Sequence, residues 1–279
     1  MFVQNLVVNN NQNNDLLVSA LAKNSNVFPN EEIIPWINKR RKACLAEISV
    51  TSLEDLESWE FKENKNKLSH KSGRFFNIEG IEVLTNWGII QNWNQPIINQ
   101  PEVGILGLIS KKINKILHFL VQAKIEPGNI NIVQLSPTLQ ATKSNYERIH
   151  GGNPPKYLEF FRGDKNRRTI VDQLQSEQGS RFLKKRNRNI IIEIDEKEDI
   201  EVDVNFIWLT LGQIKKLLEK SHIINMDTRS IISCINFYPT NNANLLIQRT
   251  EYKNQKFYDM AISAVNNSIY INNFCDLTS

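Results

Sequence analysis

The sequence predicts an α+β fold, a mixed β-sheet flanked by helices, on three observations. "LHFLVQAKIE", Leu117 to Glu126, alternates with period two, as a half-buried strand does. "TLGQIKKLLEK" shows leucine-rich helical spacing behind Thr210, a capping residue. Strand and helix signals follow one another without regular βα alternation, the pattern of an α+β domain built on a mixed sheet.

Taken in order, the opening "VVNNNQNND" is polar and low in complexity, so residues 1–29 read as a flexible arm. From Asn30, "NEEIIPWINKR" begins with a cap and acidic residues and ends basic, a helix aligned with its dipole. "SLEDLESW" repeats leucine behind Ser52 and reads as a second helix. "GRFFNIEGIEVLT" shifts to strand with Gly80 at a turn, and another strand starts near Gly104. After Leu117–Glu126, Pro127-Gly128 marks a turn, and "NIVQLSPTLQAT" is a further strand. "TIVDQLQSEQGSRFLKKRN" reads as a helix, "NIIIEI" as a strand, and "NMDTRSIIS" as a last helix capped by Asp227. The module spans residues 30–239, and the asparagine-rich segment 240–279 reads as a short tail.

Composition narrows the function. The chain has 279 residues, 41% hydrophobic and 23% charged, ordinary for a globular protein. No apolar run approaches the ~20 residues of a membrane span, and no signal-peptide pattern opens the chain. Cys44, Cys234 and Cys275 form neither a disulfide framework nor a zinc spacing, which points to a reducing cytoplasm and no structural metal. The net charge of +4 includes the cluster "RFLKKRNRN", which reads as a solvated helix end or an anion site. With Phe182 as its only aromatic, it suits a small phosphorylated ligand better than nucleic acid.

The strand at Leu117–Glu126 also poses a question about its polar face. His118, Gln122, Lys124 and Glu126 share that face, and the next strand offers Gln134, Ser136, Thr138, Gln140 and Thr142 at alternate positions. Most of these groups both donate and accept hydrogen bonds, which suits an oriented polar ligand. The competing reading is a hydrogen-bonded seam inside the sheet.

"WNQPIINQPEVGILG", "LHFLVQAKIEPGN", "QLSPTLQATKSNY", "LQSEQGSRFLKKRNRN", "FIWLTLGQI" and "NMDTRS" together resemble the NDP-hexose 2,3-dehydratase family, from about Glu31 to Cys234. The resemblance implies a Nudix-like fold and action on dTDP-4-keto-6-deoxyglucose, with no redox cofactor. Family members typically carry two tandem modules. One module is expected here, followed by a remnant or truncated start of a second, and a homodimer is expected to replace the tandem. In the span matching a Nudix helix, "DQLQSEQG", only Glu177 keeps an acid, with Gln173 and Ser176 where carboxylates would stand. Magnesium takes carboxylate oxygens, so pyrophosphate hydrolysis is not expected and no metal is assigned. Glu177 reads either as a structural hydrogen-bonder or as a catalyst.

The reaction that this resemblance implies needs a base, an acid and a cation. Glu126 and His118 are candidate bases, Tyr146 or His150 candidate acids, and Lys124 the group that meets an enolate or phosphate oxygen. Arg74, Arg186, Arg188 and Arg229 are candidates for the pyrophosphate. Trp93 is a candidate to stack on thymine, with Gln95, Gln122, Gln134, Thr138, Gln140 and Asn145 completing the substrate-binding set. Two alternatives stay open: an inactive dTDP-sugar-binding single module, and a basic RNA- or protein-binding relative.

Overall fold

The computed structural model describes residues 10–62, 67–142, 154–163 and 167–237. Two sheets organise them. The smaller is antiparallel in the order β1 (Trp59–Lys62), β2 (Lys67–His70), β3 (Asn77–Leu84), β4 (Asn92–Asn99). The larger, seven-stranded sheet has the path β11 (Phe206–Thr210), β6 (Ile116–Ile125), β5 (Gly104–Ile113), β10 (Arg186–Ile194), β9 (Arg168–Ser176). Only β10 and β5 run parallel, so the sheet is mixed, as the sequence predicts.

A fork in the larger sheet positions the candidate site. β5 and β6 pair from Ile113↔Ile116 back to Ile109↔Leu120 and then separate. Into the gap come β7 (Val133–Ser136), paired with β6, and β8 (Leu139–Ala141), paired with β5. The expected single strand "NIVQLSPTLQAT" is therefore two strands, with Pro137-Thr138 crossing between them. At the crotch, the Thr138 hydroxyl donates to the carbonyl of Leu120 and accepts from the N–H of Ile109 (3.0 Å). Those are the backbone groups that the parting strands would otherwise leave buried and unpaired.

The faces of this sheet are covered differently. On one lie α1 (Asn10–Leu21), α2 (Asn30–Ala43), α3 (Leu211–Leu218) and α4 (Met226–Ser233), sharing a core with Leu117, Phe119 and Val121 of β6. On the other, a short 3-10 turn at Leu158–Phe161 packs with Tyr157 and Trp208 against Leu120, Ile109 and Ile190. Gly107 is required beneath it, because a Cβ there would stand 2.4 Å from the Phe161 ring. Each large side chain fully buried in these layers contributes roughly 1.5–3 kcal/mol. Among the described residues no helix is long and apolar enough to cross a membrane.

Several local readings are corrected. Much of residues 1–29 is no loose arm: Leu16 and Val18 of α1 are buried, the Ser19 hydroxyl donates to Leu117 O (2.5 Å), and Leu211 N–H donates back to Ser19 Oγ (2.9 Å). The low-complexity composition hid this helix because its apolar face is only a few residues wide. "SLEDLESW" forms just the 3-10 turn Leu53–Asp55, and Gly80 lies inside β3 rather than at a turn. The expected helix over "TIVDQLQSEQG" is strand β9, paired antiparallel with β10. Pairing with a neighbour distant in sequence overrides local helical spacing there. The α3 cap stands as expected, with Thr210 and Gln213 forming a full capping box. The α4 cap is Asn225, not Asp227.

Candidate functional site

The site lies at the open end of the fork, where the ends of β6 and β8 meet residues 155–156 and the segment leading into β11. A cleft of about 340 Å³ opens there, lined by Gln122, Lys124, Gln140, Lys156, Asp203 and Phe206, among others. Gln122 is anchored, its Nε2 donating to Pro137 O (2.9 Å). Lys156 and Asp203 pair with each other on the rim. Lys124 is half-buried and has no ion-pair partner among the described residues. It is a cation facing a cleft, the arrangement an anionic group would meet.

Behind the cleft is a polar network. Gln140 Nε2 donates to Glu126 Oε1 (2.7 Å), Asn129 Nδ2 donates to Glu126 Oε2 (3.0 Å), and Asn225 Nδ2 donates to Glu126 Oε2 and Gln140 Oε1, both at 3.2 Å. Asn225 joins network to helix, because its Oδ1 accepts from Thr228 N–H (2.9 Å) to cap α4. The crossover at Pro137-Thr138 makes this possible. Leu139 and Ala141 face the layer with Tyr157, which turns Gln140 toward the face that carries α4.

Asp227, in the first turn of α4, is the titratable centre. Burial above all, then the negative charges of Glu126 and Glu177, pushes its pKa from 3.8 up to about 7, with Lys124 opposing. A carboxyl poised near neutrality gives and takes protons with equal ease. Glu177 is oriented by Asn187, whose Nδ2 donates to Glu177 Oε2 (2.6 Å). Two residues along β10, Asn189 is 1% exposed, its Nδ2 donates to Asn187 O (3.3 Å), and its Oδ1 has no hydrogen-bond partner. Among the described residues no set of three His, Cys, Asp or Glu side chains converges to hold a metal ion.

The residues named from sequence divide clearly. Lys124, Glu126, Gln122 and Gln140 come together at the fork, and Gln134 pairs with Lys124 across β7 while donating to Asn131 Oδ1 (3.2 Å). His118 stands apart, six residues away along β6, or about 20 Å. It is 1% exposed, bonded to Ser25 Oγ and Ile116 O at 2.8 Å each, and burial pushes its pKa down, so it is a neutral structural group. Thr138 is fully used at the crotch. Arg188 is bound to Asp172 by two bonds of 2.7 Å, and Arg229 staples the carbonyls of Ile224 and Leu218. Arg186 and Arg74 are exposed outside the cleft lining. Trp93 Nε1 donates to Gln95 Oε1 (2.9 Å), and Gln95 Nε2 donates to Ser180 O (2.8 Å), which ties the smaller sheet to the loop after β9. Asn145, Tyr146 and His150 lie outside the described residues. Sequence reasoning missed Asp227 as a candidate by taking it as the cap. The signal was "NMD" itself, since two capping types two residues apart cannot both cap one helix.

A mixed-sheet α+β chain with a carboxyl near neutrality beside a free lysine has the parts for proton transfer next to a developing negative charge. The comparisons with known proteins give that class a family. The NDP-hexose 2,3-dehydratase family matches over residues 30–235, and this chain belongs to it. It is 47% identical over 220 residues to a dTDP-4-dehydro-6-deoxy-alpha-D-glucopyranose 2,3-dehydratase of Saccharopolyspora spinosa, covering 79% of this chain and 45% of that protein. Relatives of the same description from Amycolatopsis orientalis and Streptomyces violaceoruber are 45% and 44% identical, covering 79% and 71% of this chain and 47% and 44% of theirs. The chain thus spans about half the length of the curated relatives it matches. A crystal structure of an ADP compounds hydrolase overlaps with a TM-score of 0.37 at 14% identity, over 58% of this chain and 84% of that one.

Proposed function

We propose that the chain carries 2,3-dehydration of dTDP-4-keto-6-deoxyglucose, with Lys124 and Asp227 as its central groups. The observation that supports this reading most is the family match over residues 30–235, which includes the whole fork and α4. The C4 ketone acidifies the C3 proton. Asp227, ionised, accepts that proton, and Lys124 faces the negative charge that moves onto the ketone oxygen. The enolate then expels the C2 hydroxyl, which leaves as water with the proton that Asp227 returns. The enol that remains at C2–C3 becomes the 3-ketone, giving a 3,4-diketo-2,6-dideoxy sugar.

The balance needs no oxidant or reductant, because the carbon oxidised at C3 is matched by the carbon reduced at C2. Positioned charge at the enolate supplies a large share of such rate enhancements, and general acid–base transfer adds roughly 100- to 10,000-fold. Glu126, held by Gln140, Asn129 and Asn225, keeps a negative charge near Asp227 and so keeps its proton affinity high. The same reading includes a homodimer working in the cytoplasm. The test is to incubate the purified protein with dTDP-4-keto-6-deoxyglucose in deuterated water. Loss of one water, with deuterium taken up at C2 of the product as the enol becomes the 3-ketone, is expected. Binding of the sugar nucleotide without deuterium uptake or loss of water would overturn the catalytic reading.

A further inference from the structure

The loop from β9 to β10, residues 177–185, is held from three sides. Its neck closes where Glu177 N–H donates to Lys185 O (3.0 Å). Its outer part lies along β4 of the smaller sheet. There Ile98 N–H donates to Arg181 O (2.8 Å), Leu183 N–H donates to Ile98 O (2.9 Å), and Gln95 Nε2 donates to Ser180 O (2.8 Å). The loop also meets the start of α4, where Gln178 Nε2 donates to Met226 Sδ (3.2 Å). Glu177 and Asp227 are the adjoining residues on the two sides of that contact.

We propose that Glu177 is a positioning residue for the dehydration, a fixed negative charge that this loop presents to Asp227, an inference that rests on the reading above. The surroundings of its carboxylate fix it without cancelling its charge. Asn187 Nδ2 donates to Oε2 (2.6 Å) and Gln178 N–H donates to Oε1 (3.3 Å), so both oxygens meet neutral donors. Lys185, the cation at the neck, donates its Nζ to Glu102 O instead. Glu177 has no ion-pair partner among the described residues. Gly104 makes room for the arrangement. It stands in register with Asn187 across β5 and β10, and a Cβ there would come 2.7 Å from Asn187 Oδ1.

A role in architecture alone would need no charge here, because the carbonyl oxygen of a glutamine accepts the Asn187 bond equally well. A carboxylate adds one thing, its repulsion of a second negative charge, which favours the protonated form of a neighbouring carboxyl. The charges that act on Asp227 are Glu126 at the end of β6, Glu177 in this loop and, opposing them, Lys124 on β6, all added to the effect of burial. Glu126 is fixed from within the larger sheet and α4. Glu177 is fixed through a loop that β4 clamps, which gives the smaller sheet a part in setting when Asp227 takes and returns its proton.

The test uses the full chain with Glu177→Gln and Glu177→Asp, and reads Asp227 in two ways. The carboxyl carbon shift of Asp227, followed by NMR against pH, gives its titration without substrate. Its midpoint should fall by roughly 0.5–1 pH unit in Glu177→Gln, the scale of one charge removed across a partly solvated gap. Glu177→Asp keeps the charge and should stay closer to the wild type. The midpoint of the pH–rate profile for dTDP-4-keto-6-deoxyglucose should move with the titration, while the circular dichroism spectrum stays that of the wild type. An unmoved titration in Glu177→Gln, or an equal shift in Glu177→Asp, would overturn this role and leave the dehydration standing. So would a titration that moves while the pH–rate profile stays in place. A wild type that titrates as described but turns over no sugar nucleotide would overturn the reading above, and this role with it.

Discussion

Replacing Asp227 by Asn should make the protein more stable and nearly inactive. The carboxyl has a pKa of about 7 in the folded chain against 3.8 without its surroundings. Between those values the folded state holds a proton that the unfolded state has lost. Stability from this group is therefore complete below about pH 4, declines as pH rises through the window, and is lost above pH 7. At about 1.36 kcal/mol per pKa unit the full difference is about 4 kcal/mol, and the part of the carboxyl that meets water reduces it to roughly 2–3 kcal/mol. Asn carries no charge and escapes this cost. Urea unfolding of Asp227→Asn at pH 8 should show that gain, a melting rise of roughly 4–10 °C. The gain should vanish at pH 4. Turnover should fall about 100-fold or more, with the loss of acid–base transfer. Equal stability of the two proteins at pH 8 would refute the raised pKa. A stabilised variant with wild-type turnover would refute the role in proton transfer.

Other substitutions separate catalysis from architecture. Lys124→Ala should lower turnover by about tenfold or more while leaving the melting temperature nearly unchanged. Glu126→Gln should lower both, because its amide N–H would face a donor from Gln140 or from Asn129 and Asn225, and intact kinetics in both variants would move the site elsewhere. Thr138→Val should cost roughly 2–4 kcal/mol in urea unfolding, because it leaves the Ile109 N–H and Leu120 carbonyl buried without partners; a loss well under 1 kcal/mol would contradict the seal. His118→Asn should leave turnover intact, and it should weaken the loss of stability on acidification. Burial holds the imidazole pKa below its usual 6.5, so the unfolded chain takes the proton first and stability falls as pH drops below that value. A pH-rate profile altered by His118→Asn would return that residue to the chemistry.

The sequence by itself determined the local features, those that a few neighbouring residues settle. Period-two alternation in Leu117–Glu126, the Thr210 cap and the polar side chains Gln122, Lys124, Glu126 and Gln140 were legible because each depends on its own segment. The family blocks were legible too, being long enough to identify without any geometry. What the chain does at a distance was not. β9 is a strand because β10 lies beside it, and α1 is held because Ser19 finds the backbone of Leu117 and Leu211. His118 and Lys124 share one face of one strand, yet Ser25 closes over the first and a cleft opens at the second. Only the tertiary structure decided that Asn225 caps α4 and that Asp227 is buried near the charges of Glu126, Glu177 and Lys124. A proton affinity is a property of the surrounding dielectric and charges, and folding brings these together from β6, the loop after β9 and α4.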